Sequence, residues 1–133
     1  MRRLAIGAAI LVALAGCSSN PNNGATARPV SHAKLAILQP TSGSTVDGTD
    51  VEVKLSLTGG TVTTVTVSSA RIKPNIGHIH LRLDGKTITL LGHLDNHITN
   101  VRPGQHVLVA EYVAQDHLPW RNDINAAVTF TAR

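Results

Sequence analysis

The chain has 133 residues, with 12 Lys and Arg against 8 Asp and Glu, 7 His, one Cys and only Tyr112, Trp120 and Phe130 as larger aromatics. That length accommodates one small domain with appendages. A single cysteine excludes an internal disulfide and thiolate-built zinc clusters, and so few aromatic rings argue against a base-stacking platform or an aromatic sugar cleft.

Residues 1–16 have the form of an export signal. Met1-Arg2-Arg3 is a positive start, and the uncharged run from Leu4 to Gly16 is too short for a bilayer span of about 20 residues. The run ends in Leu14-Ala15-Gly16-Cys17, which resembles the lipobox of bacterial lipoproteins. The resemblance implies that Cys17 receives a diacylglyceryl group, becomes the first mature residue and holds the protein by lipid, palmitate included, on the extracytoplasmic face of the cell membrane or envelope. Loss of Arg2 and Arg3 with the signal takes the net charge from +4 to +2 and removes the electrostatic case for a nucleic-acid partner. Residues 17–33 are rich in Ser, Asn, Pro and Gly without apolar periodicity, which predicts a flexible tether, with His32 solvated.

The domain expected over 34–133 is all-β. Short runs of Val, Ile, Thr and Leu are broken by Gly, Pro, Asn and Asp about every ten residues, and no stretch holds a helical period for three turns. A strand at Leu35–Leu38 opens it and Pro40–Ser44 interrupts it. Val51, Val53, Leu55 and Leu57 then alternate with Glu52, Lys54 and Ser56, and Gly59-Gly60 turns the chain into the Thr/Val run of 61–67. From 79 to 83, Ile79, Leu81 and Leu83 point inward while His78, His80, Arg82 and Asp84 point outward. Asp84-Gly85 marks a hairpin to Thr87–Leu91. A weaker strand follows at His97–Val101, a turn at Arg102–Gln105, a long strand at His106–Ala114 and a closing strand at Ala127–Ala132. Tyr112 shares the inward parity of Leu108 and Ala110, and Trp120 is expected in a loop, where it covers the sandwich end or contacts a partner.

Three segments resemble the bacterial immunoglobulin-like domains of exported proteins: Gln39-Pro40 to Gly43-Ser44-Thr45-Val46, Leu81-Arg82-Leu83-Asp84-Gly85-Lys86, and Pro103-Gly104-Gln105-His106-Val107-Leu108 with the terminal Val128-Thr129-Phe130-Thr131. They imply a Greek-key β-sandwich of about seven strands. Gly77-His78-Ile79-His80-Leu81, Pro103-Gly104-Gln105-His106 and Asp116-His117-Leu118-Pro119 further resemble signatures of small, uncharacterised envelope proteins with such a core.

His78 and His80, two apart on a strand, share a face about 6.6 Å apart. Antiparallel pairing of their strand with 106–114 brings Asp116 and His117 to the same end. Three imidazoles with an optional Asp116 carboxylate suit copper or zinc; the alternative is a solvated His pair on an outer face. His106 occupies a position where many such domains place a corner tyrosine, which predicts a structural role. His93 and His97 sit four apart, but Gly92, Asp95 and Asn96 favour a turn over the helix a ligand pair would need. No nucleophile elbow, free cysteine, acidic pair or phosphate-cradling loop points to an enzyme. The expected function is therefore a binding or accessory module with copper or zinc as ligand. The alternative is a structural or envelope-protein-interaction module without metal. A third reading is a copper/zinc superoxide dismutase-like enzyme, whose likeness is confined to His78-Ile79-His80.

Overall fold

The computed structural model describes residues 28–64 and 72–133, and for Leu90 and Leu91 the backbone alone. The expected signal, Cys17, most of the tether and the end of the 61–67 run lie outside them.

Alternating apolar residues build nine strands among the described residues: β1 (Lys34–Gln39), β2 (Ser44–Val46), β3 (Val51–Thr58), β4 (Thr61–Val62), β5 (Ile76–Leu83), β6 (Lys86–Leu91), β7 (Asp95–Ile98), β8 (Gly104–Ala114) and β9 (Pro119–Ala132). They form two layers. One is a sheet in the order β1-β3-β7; the other runs β2-β9-β8-β5-β4, with β6 also paired to β5. The far edge of β5 is divided, its first residues pairing in parallel with β4 and Ile79–Leu83 pairing antiparallel with β6. Two strands more than the expected count are the short β2 and β4.

The core lies between the layers and is made by the inward residues of both: Val51 and Val53 from β3, Ile79 and Leu81 from β5, Leu108 from β8 and Phe130 from β9 are all buried. Burying each such side chain contributes about 1.5–3 kcal/mol, which has to suffice where no disulfide exists. Tyr112 joins this core as its parity predicts.

Three expectations are corrected. The strand foreseen at His97–Val101 is Asp95–Ile98, because Glu52 and Lys54 of β3 pair with His97 and Asp95 and the ladder ends at Ile98. The closing strand begins at Pro119, eight residues earlier than Ala127. The polar stretch Arg121–Asn125 hides it, since β9 breaks register between Pro119 and Ile124 where it faces the irregularity at Tyr112 and Val113 of β8. Trp120 therefore belongs to a strand and not a loop. It is 2% exposed, with its ring centroid 5.8 Å from that of Tyr112.

The N-terminal approach to β1 also differs from a free tether. Ser31 N donates to Asn122 Oδ1 at 3.0 Å, Asn122 Nδ2 donates back to Ser31 O at 2.8 Å, and Asn75 Oδ1 accepts from Ser31 Oγ at 2.8 Å and His32 N at 2.9 Å. Residues 28–33, the end of the expected 17–33 tether, are held against the domain. His32 remains exposed.

Candidate metal centre

The register of β5 on β8 sets the site. His78 faces Val113 and His80 faces Glu111, while Ile79 and Leu81 between them enter the core. The two imidazoles therefore stand on the outer face of the larger sheet. At the end of β8 the chain turns sharply: His117 N donates to Ala114 O and Ala114 N to Leu118 O, both at 3.0 Å, and Asp116 Oδ1 accepts from Leu118 N at 3.3 Å. His117 takes a left-handed φ of 64° at the tip, which returns its ring over the start of β5.

The three rings converge. His78 Nε2 is 3.1 Å from His80 Nε2 and 3.0 Å from His117 Nδ1. The three nitrogens lie within 4.8 Å of one another. Ring centroids are 4.4–5.7 Å apart. His78 is outward-facing yet only 1% exposed, because the His117 hairpin and His80 cover it; it is not the solvated surface histidine of the alternative expectation. Burial, reinforced by the neighbouring imidazoles, pushes His78 down to about 4. Burial also lowers His80, against the pull of the Glu111 carboxylate. Both rings are held in the neutral form that ligates metals.

A tetrahedral ion with metal–nitrogen bonds of about 2.0–2.1 Å needs ligand nitrogens about 3.4 Å apart. His78 Nε2 stands a few tenths of an ångström inside that spacing from each of the other two nitrogens, and all three lie within 4.8 Å. All donors are imidazole, a set that suits zinc and copper and offers no sulfur. Three protein ligands leave a coordination position for water or a substrate atom.

Asp116, the optional fourth ligand of the sequence reading, is engaged elsewhere. Arg28 Nη1 and Nη2 reach its two carboxylate oxygens at 2.7 and 3.1 Å, and this pairing holds the Asp116 carboxyl below the usual carboxylate range. Two residues around the site were not foreseen. Arg28 fell in a segment without periodicity and gave no signal. Glu111 was legible, since the antiparallel register places it opposite His80. Its Oε2 lies 2.9 Å from Arg82 Nη2, an ion-pair contact without hydrogen-bond alignment, so the buried Arg82 Nε and Glu111 Oε2 lack bonded partners.

The structure places His106 at the other end of the domain, beside the β5–β6 turn. Its Nδ1 is 2.7 Å from Asp84 Oδ2 and its Nε2 is 2.8 Å from Arg102 O; Asp84 Oδ1 also accepts from Val107 N at 2.9 Å. His93 and His97 are exposed and lie on no helix, and His97 pairs across the smaller sheet with Glu52.

No protein-family model and no curated protein matches the sequence. Among solved structures, the fibronectin(III)-like modules of Clostridium thermocellum CbhA are similar at 16% identity with a TM-score of 0.54, covering 74% of this chain and 93% of that one. This likeness and the two-sheet topology define an all-β, immunoglobulin-like β-sandwich. A CARDB domain from Pyrococcus furiosus, in complex with di-metal ions, is similar at 11% identity and a TM-score of 0.44, covering 80% of this chain and 97% of that one. Likeness at that level carries nothing about metals into this chain.

Proposed function

We propose that this protein is a lipid-anchored, extracytoplasmic module that binds copper or zinc through His78, His80 and His117. The observation that carries the metal reading is the convergence of three imidazole nitrogens, from the start of one strand and the tip of a distant hairpin, within 4.8 Å. Burial keeps His78 neutral, so its ring can offer a lone pair to a divalent ion without first losing a charge-bearing proton. The anchor reading is supported by the lipobox-like Leu14-Ala15-Gly16-Cys17.

The test is a calorimetric titration of Zn²⁺ and Cu²⁺ into the full chain purified in detergent. The expected result is binding of a single ion, micromolar or tighter, abolished by His78→Ala/His80→Ala with the β circular-dichroism signal intact. No binding, or binding indifferent to that double change, returns the protein to a structural or protein-interaction module of the envelope. Superoxide turnover by the copper-loaded chain would instead support the dismutase-like reading. Incorporation of labelled palmitate, absent from Cys17→Ser, tests the anchor; no incorporation in the wild-type chain overturns it.

A further inference from the structure

One guanidinium brackets the hairpin that presents His117. Besides its two bonds to Asp116, Arg28 donates from Nη2 to Leu118 O at 2.9 Å and from Nε to Pro119 O at 2.7 Å. It thus ties down the residue before His117 and the two after it. The same segment continues the attachment along β9, where Arg121 N donates to Pro29 O at 3.3 Å and Ser31 exchanges two bonds with Asn122. His117 holds a left-handed backbone, which a residue with a side chain keeps when its surroundings fix it. Its Nδ1 must also stay at ligand distance from His78 Nε2, across 39 residues of chain.

We infer that Arg28 is a positioning residue for the metal centre, and that metal binding and docking of the Arg28–Ala33 segment strengthen each other. The inference rests on the metal-binding reading of His78, His80 and His117. A docked segment holds the hairpin with His117 already over His78, so the ion meets an ordered ligand set. An ion bridging His117 to β5 fixes Asp116, Leu118 and Pro119 where the guanidinium needs them. Such coupling is reciprocal by thermodynamic necessity. Only an arginine makes this contact, because its planar fork meets a carboxylate and two carbonyls at fixed angles where a lysine presents a point charge.

Electrostatics alone predicts the opposite sign. Removing a cation beside a dication site, and freeing the Asp116 carboxylate, should tighten metal binding by Coulomb attraction. Loss of positioning should weaken it. The full chain in detergent is therefore titrated with Zn²⁺ against a competing chelator as wild type, Arg28→Ala and Arg28→Lys, with Lys86→Ala as a control for an exposed cation of equal charge. Both Arg28 variants are expected to lose about tenfold or more in affinity, the range for residues that orient metal ligands; the control is expected to match wild type. Hydrogen exchange gives the independent readout: Zn²⁺ should slow the amides of Ser31, His32 and Ala33 in wild type and leave them unchanged in His78→Ala.

Equal or tighter Zn²⁺ binding by Arg28→Ala overturns the inference, as does wild-type exchange at 31–33 that ignores Zn²⁺. Wild type that binds no Zn²⁺ overturns both this inference and the metal reading, whereas wild type that binds it with Arg28→Ala unaffected overturns the positioning role alone. Amides of Leu81 and Leu108 report whether the variant core is intact; if Arg28→Ala loses their protection, the wild-type comparison with and without Zn²⁺ decides.

Discussion

Gly77 lies directly against the backbone of Val113, so closely that a Cβ built at position 77 would fall on the Val113 carbonyl oxygen. The contact sits one residue before His78, where β5 meets the irregular stretch of β8 that leads into the His117 hairpin. Gly77→Ala must push the two strands apart. Overfilling of this kind costs about 1–3 kcal/mol, and the separation falls between the very elements that bring His78 and His117 together. Urea denaturation should show the loss of stability, and Zn²⁺ affinity should drop with it. An unchanged midpoint would mean that the two strands can part without cost.

His106 should give the domain a pH-dependent stability on the alkaline side. Both of its ring nitrogens face acceptors, Arg102 O and the Asp84 carboxylate, and these raise its pKa above the ordinary 6.5. The protonated ring satisfies both; the neutral ring can donate to one only. A raised folded-state pKa contributes stability that is complete below 6.5 and is lost as pH rises through the folded value. Melting temperature should therefore fall from pH 6 to pH 9 in wild type, with much of that slope absent from His106→Gln. Equal slopes would refute the contribution.

His78 acts in the opposite direction. Its folded value of about 4 lies below the unfolded 6.5, so the stability it supports is complete above 6.5 and is lost as pH falls through that interval. His78→Gln should lose less stability than wild type between pH 6.5 and 4.5. The same displacement means that His78 carries no proton to release at neutral pH.

Tyr112 →Phe removes a buried hydroxyl that lies 2.9 Å from Thr61 O and 2.8 Å from Asn75 O. Burial pushes that phenol up to about 12, so it stays a donor throughout. Thr61 is exposed and Asn75 O keeps its bond from Thr61 N, so deletion costs the net worth of a hydrogen bond, about 0.5–1.5 kcal/mol in chemical denaturation. A neutral result would mean that water replaces the hydroxyl.

Leu81 and Leu108, fully buried from adjacent strands, are expected to tolerate no charge: Leu81→Asp or Leu108→Asp should abolish the folding transition, whereas Glu52→Thr on the exposed face of β3 should leave the midpoint nearly unchanged. A cooperative transition in Leu81→Asp would reverse the assignment of the faces of β5.

The strands with clean alternation could be placed from sequence, because a period of two in Val51–Leu57 and Ile79–Leu83 has a single physical meaning in a two-layer protein. Pro119–Asn125 could not. Its Asn and Asp read as a turn, and what makes it strand is pairing with β8 across an irregular register that no local pattern reveals. The convergence of His78, His80 and His117 follows from antiparallel pairing, which sequence order already implies. The burial of His78 does not follow, since it depends on a hairpin tip folding back over the sheet. Arg28 was least legible: it lies in a stretch with no periodicity, and its partners are about 90 residues away.

Arg28 and the imidazole rim share one pole of the domain, since the guanidinium grips the hairpin that carries His117. Were a diacylglyceryl group carried on Cys17, the leash from lipid to that pole would be eleven residues, about 40 Å at full stretch. The imidazoles would then stay within that reach of the headgroup layer, and so would any ion they held.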